Sequence, residues 1–181
     1  RQGRMPEFVQ YVNSLLARAL NCLQGRSDKL WSGSGYCAVR PQSAEDLLSK
    51  IAYGMANPAA AGLVNRVEDY PGLIITPDLI GVDHEVARPE FFFRETGSMP
   101  ERVTVRFEVP PEFEHLGLEG YRSLLWRELR EREARHRAER RAEGLAVMGQ
   151  RRLRRAALGD RSQRWEKWFE LRPTIAAKLK A

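Results

Sequence analysis

The chain has 181 residues, 43% of them hydrophobic, and carries a formal charge of +6 from 30 Lys and Arg against 24 Asp and Glu. That is enough apolar material for one medium domain or a small domain with appendages, which excludes a chain disordered throughout. Two cysteines, Cys22 and Cys37, exclude a disulfide framework or a self-sufficient zinc site, and no run approaches the length of a membrane span.

The basic excess points to an anionic partner, nucleic acid before membrane. Residues 6–24 predict an amphipathic helix: Pro6 and Glu7 suit a first turn, Phe8, Val12, Leu15, Ala19 and Leu23 recur at three- and four-residue steps, and Gly25 stops it. The stripe needs a surface to pack on. Residues 30–39, "LWSGSGYCAV", read as a strand containing a Gly-rich bulge or turn.

Ser43 followed by Asp46 three residues on is a capping pattern that opens a second helix near residue 44. At 100° per residue, Leu48, Ile51 and Met55 share one face with Leu47 at its edge, while Asp46, Lys50, Tyr53 and Asn57 share the other. Pro58 disfavours helical geometry at Asn57, so the helix is expected to end or kink there. Periodicity alone leaves Tyr53 readable as a half-buried amphipathic aromatic and Asn57 as a helix-end residue.

Residues 76–118 predict a small β-rich attachment. "GVDHEVARPEFFFR" and "RVTVRFEVP" bracket the turn signal "ETGSMPE", and Val103, Val105, Phe107 and Val109 alternate with polar residues as a half-buried strand does. His84, between Asp83 and Glu85, reads as part of a solvated charge run rather than as a ligand cluster, and His115 and His136 stand alone.

A long helix follows over residues 119–143. Its first turns bury Tyr121, Leu124, Leu125 and Leu129, and the remainder, "REREARHRAERRAEG", is charged all round: a salt-bridge-laced exposed helix or one lying on a partner. Beyond Gly144, Arg151, Arg152, Arg154 and Arg155 have no acid nearby until Asp160, and Arg161, Arg164 and Lys167 surround Trp165 and Trp168. Arginines beside exposed indoles fit a surface that tracks phosphates and stacks on unpaired bases. The alternative is that the tryptophans anchor a core in the C-terminal segment.

"YGMANPAAAGLV" followed by "RVEDYPGL", preceded by the "GRSDKLW" segment, resembles the Tyr-to-Asn-Pro-to-Gly signature of the REP-associated tyrosine transposases, a branch of the HUH-type single-tyrosine transposases. The resemblance covers residues 5–75. It implies Tyr53 as the nucleophile that attacks a DNA phosphodiester to give a 5′-phosphotyrosine link, and Asn57 as a ligand of Mg²⁺ or Mn²⁺. Side chains at i and i+4 lie side by side, which agrees with aiming both at one phosphate.

The family's remaining metal ligands are a His-x-His pair on a strand upstream, and this chain holds no such pair. The expectation is an N-terminally truncated copy, inactive by itself. The resemblance further implies the later part of a ferredoxin-like HUH domain over residues 1–75; with the β-rich attachment over 76–118 and an Arg-rich helical extension over 119–181 read from the residues, the expected fold is α+β. It implies single-stranded or hairpin DNA as partner, a possible homodimer, and the bacterial cytoplasm, with the nucleoid, as location. The alternative is a non-catalytic nucleic-acid-binding remnant.

Overall fold

The computed structural model describes residues 4–31 and 40–156. These fall into two units, one made of residues 4–31 and 86–103, the other of residues 40–85 and 104–156.

In the first unit, helix α1 spans Met5–Gln24, with Pro6 in its first turn and Gly25 closing it in the left-handed conformation. The stripe is largely uncovered among the described residues. Phe8 and Leu23 are more than half exposed, Val12, Leu15 and Ala19 are only half-buried, and no residue of α1 is buried. Residues after α1 fold back along it: the Trp31 indole N–H donates to the Asn13 carbonyl at 2.9 Å, and the Asn21 amide to the Asp28 carbonyl at 2.6 Å. The strand expected over residues 30–39 lies outside the described residues beyond Trp31.

Strands β1 (Asp83–Ala87) and β2 (Arg102–Arg106) pair as a two-stranded antiparallel sheet, so the chain is mixed helix and sheet. The Arg88 N–H donates to the Glu101 carbonyl at 2.8 Å where the hairpin narrows, and the Arg88 guanidinium donates to the Met99 carbonyl at 2.8 Å. Val103 and Val105 were expected half-buried; both are exposed, as is every residue of β2. Nine of the ten residues of the two strands are exposed, so among the described residues no layer covers the ladder. Alternation is rewarded only further on, where Phe107 and Val109 pack against the core of the second unit.

That core is built on two helices, α2 (Ala44–Ala60) and α3 (Gly117–Ala142), which pack against each other. From α2 come Ala52, Met55, Ala56 and Ala59; from α3 come Tyr121, Leu125 and Leu129. The three alanines let the helix axes approach, and each fully buried leucine contributes roughly 2 kcal/mol of apolar transfer. Phe113 stacks on Tyr121 with ring centroids 5.1 Å apart. The 3₁₀ turns Val67–Asp69, Pro77–Leu79 and Pro111–Leu116 each bury one residue, Val67, Pro77 and Phe113.

The charged half of α3 corrects the expectation of an all-exposed helix. The buried four-residue row Tyr121, Leu125, Leu129 continues onto Glu133, which is fully buried. Glu133 accepts the Val67 N–H at 2.8 Å and the Arg130 guanidinium at 2.8 Å. Arg130 also pairs with both oxygens of Glu68 and lies over the Trp126 ring, 4.4 Å from its centroid. Trp126 donates to Asp78 at 2.9 Å, Arg122 donates to the Ile80 carbonyl, and Arg132 donates to the Ser49 hydroxyl at 2.9 Å. The Glu68 turn, the Asp78–Ile80 segment and Ser49 of α2 are thus each tied to α3 by a cation or an indole. Among the described residues no helix is long and apolar enough to cross a membrane.

Candidate functional site

The Ser43 hydroxyl accepts the Asp46 N–H at 3.1 Å, which opens α2 where the sequence pattern puts it. With that start fixed, the helical period divides the faces as expected: Leu47, Leu48 and Ile51 pack on the core, Met55 lies in it, and Lys50, Tyr53 and Asn57 are exposed. Asp46 departs from this, being half-buried. Tyr53 is 59% exposed.

Of the end or kink expected at Asn57, the end is corrected. α2 runs through Pro58 to Ala60. The N–H that Pro58 lacks would have reached only the Gly54 carbonyl, in an exposed turn open to water, and the proline ring itself is buried. The helix then closes three residues late: the Leu63 N–H returns to the Pro58 carbonyl at 2.9 Å, and Gly62 takes φ +70°, a conformation that a Cβ disfavours.

Beside the exposed face lies a cleft of about 690 Å³. Its walls include Lys50, Gly54, Asn57, Tyr70, Leu73 and Phe107, and it is mostly apolar. Tyr53 is outside the wall, next to Gly54. The Tyr70 ring sits against the main chain of Gly72, so closely that a Cβ there would come within 2.6 Å of it. A second cleft, of about 510 Å³, is lined by Tyr70, Pro71, Gly72, Leu153 and Arg154. Tyr70 is therefore a wall common to both.

Arg154 reaches that position because the chain turns back after α3. The Leu145 N–H donates to the Arg140 carbonyl at 2.9 Å, then Met148 and Gly149 donate to the Gly62 and Leu63 carbonyls at 2.9 and 2.8 Å. A short helix α4, Gln150–Leu153, follows. Arg151, Arg152, Arg154 and Arg155 are all exposed and make no ion pair among the described residues. Arg161, Arg164, Trp165, Lys167 and Trp168 lie outside the described residues.

The donor set around Asn57 does not fit a divalent cation. No group of three His, Cys, Asp or Glu side chains converges among the described residues, and one amide oxygen with water is a poor site for a hard dication. Two of the three histidines are otherwise engaged. His84 is half-buried rather than solvated, its Nε2 3.0 Å from the Leu79 carbonyl and its ring beside Phe107. His136 Nδ1 lies 3.1 Å from Glu139, and His115 is exposed in the turn before α3.

Among the described residues four groups have shifted protonation, the first being the Glu45 carboxyl, held below its usual range by its own backbone N–H and by the Ser43 hydroxyl. The Arg130 guanidinium holds the Glu68 carboxyl below its usual range, Glu68 in turn holds the Arg130 proton more tightly, and burial raises the Tyr121 hydroxyl. Sequence reasoning missed Tyr70 as the wall between the clefts, and Glu133 and Arg130 as clamps. Glu133 had a legible signal, since it continues the four-residue step of buried residues in α3.

No protein-family model, no curated protein and no solved structure matches this chain.

Proposed function

We propose that this chain binds single-stranded or hairpin DNA along the path from Lys50 and Asn57, past Tyr70, to Arg154, and presents Tyr53 to the bound backbone as a nucleophile. One observation carries the reading: Tyr70 walls both clefts, joining the face of α2 that displays Asn57 to Arg154, which follows α4 and makes no ion pair among the described residues. An apolar cleft with an aromatic wall suits an unstacked base, and guanidiniums beyond it suit phosphates. In the strand-transfer reaction, a bond forms from Tyr53 Oη to phosphorus and the bond to the 3′-oxygen breaks. The phenolic proton ends on the released 3′-hydroxyl.

This is the chemistry of the tyrosine transposases that the "YGMANPAAAGLV" stretch resembles, and their ferredoxin-like sheet, pairing as dimers and residence at the nucleoid belong to the same proposal. A second reading, a DNA binder without strand transfer, is favoured by the poor metal donor set around Asn57. Incubating the full chain and Tyr53→Phe with a labelled hairpin oligonucleotide in buffer containing Mn²⁺ separates the two. The first reading expects a denaturation-resistant adduct absent from the variant; binding without any adduct assigns the second.

A further inference from the structure

A third cleft, of about 420 Å³, lies at the far end of α3 and takes no part in the path past Tyr70. Arg137, Arg140 and Arg141 line it, at i, i+3 and i+4, so their side chains emerge together. Asn65 forms part of the opposite wall, and the returning chain from Gly144 to Val147 closes the remaining side. The wall is held in place by the bonds already described, from Leu145 to Arg140 and from Met148 and Gly149 to Gly62 and Leu63. The cleft is therefore built, not an accident of flexible side chains.

Among the described residues, one of the three arginines has a structural task. Arg140 donates through Nη1 to the Ala59 carbonyl, its stem lies 3.5 Å from where a Cβ on Gly62 would stand, and its Nη2 is buried with no partner. Arg137 and Arg141 make no ion pair among the described residues, and Glu139 is engaged by His136. Arg141 is exposed and Arg137 half-buried. Like charges three and four residues apart repel one another unless an anion lies between them. Elsewhere on α3 the arginines that face the unit find an acceptor: Arg122 at Ile80, Arg130 at Glu68 and Glu133, Arg132 at Ser49 and Glu128.

We infer that Arg137 and Arg141, with the Asn65 amide, hold a phosphate group in this cleft. Two guanidiniums and an amide supply donors in the fork geometry that tetrahedral oxyanions accept. A phosphate of the nucleic-acid backbone and a free phosphate ion present the same chemistry, and the two sources differ in measurable ways. The inference does not depend on Tyr53.

The test uses the full chain and the double variant Arg137→Gln, Arg141→Gln, leaving Arg140 in place because it ties α3 to Ala59. Inorganic phosphate is titrated while the Asn65 side-chain amide is followed by NMR, and oligothymidylate affinity is measured across salt concentration. The expected result is a saturable Asn65 shift with phosphate that the double variant loses. A salt slope lowered by roughly 0.7 in the double variant, the value for one lost phosphate contact on a single strand, identifies the backbone as the source. A lost phosphate response with an unchanged slope identifies the free ion. No saturable shift together with an unchanged slope overturns the inference. If oligothymidylate does not bind at all, the path past Tyr70 fails while the phosphate titration still decides this cleft.

Discussion

Glu133, fully buried on α3, accepts the backbone N–H of Val67 at 2.8 Å, an ion tied to main chain 66 positions earlier. Its second oxygen takes the Arg130 guanidinium, which also binds Glu68 in the same 3₁₀ turn. The two carboxylates and one guanidinium lock Val67–Asp69, the start of the segment that leads to Tyr70, onto α3. Glu133→Ala leaves a buried N–H without an acceptor and is expected to lower stability by about 2 kcal/mol. Glu133→Gln keeps an acceptor and is expected to cost less. Chemical denaturation of both variants checks the order.

The Glu68 carboxyl, held below its usual value by Arg130, makes folding stability depend on acid. A carboxylate depressed in the folded state contributes fully above its unfolded value, about 4.3, and the contribution disappears as pH falls through the folded value. Stability is therefore expected to fall below about pH 4.3 in the parent, and to fall less steeply in Glu68→Gln. Burial of the Tyr121 hydroxyl acts at the other end: stability is expected to decline above about pH 10, since the unfolded phenol ionises first. Melting temperature against pH for the parent, Glu68→Gln and Tyr121→Phe measures both edges.

Gly72 lies against the Tyr70 ring, where an added Cβ would come within 2.6 Å of it. Gly72→Ala is expected to push that half-buried ring outward and to weaken single-stranded DNA binding several-fold. Because Tyr70 is not part of the buried core, stability is expected to change by less than about 1 kcal/mol. Fluorescence anisotropy with an oligothymidylate, read beside a thermal melt, separates the two effects. Equal loss of binding and of folding would contradict the role given to Tyr70.

Replacing Arg151, Arg152, Arg154 and Arg155 by Gln removes four exposed cations with no acidic partner among the described residues. Folding is expected to be unaffected. The salt slope of DNA binding is expected to fall by up to about 3, at roughly 0.7 per phosphate contact.

Much of α2 was legible in the sequence because its signals are local. A Ser43 cap sets the start, and the helical period then separates Met55 from Tyr53 without any tertiary information. Pro58 misled for the opposite reason: its local preference to end a helix is overridden by burial of the ring and by a Gly54 carbonyl that water can satisfy. Val103 and Val105 follow the same lesson, because alternation marks a potential face and cannot say whether anything covers it. The charged half of α3 was the least legible. Whether Glu133 or Glu139 is buried depends on where Val67 sits, a contact between positions far apart in the chain. The candidate site divides likewise: Tyr53 and Asn57 one turn apart follow from spacing, whereas Tyr70 as the wall joining two clefts comes only from tertiary packing.

The most direct measurement of the DNA path is photo-crosslinking of the full chain to a single-stranded oligonucleotide carrying 5-iodouridine, with adducts mapped by mass spectrometry. Crosslinks to Tyr70 and Tyr53, competed by unlabelled oligonucleotide, are the predicted result. Specific binding with crosslinks confined to residues outside 50–73 and 150–156 would contradict it.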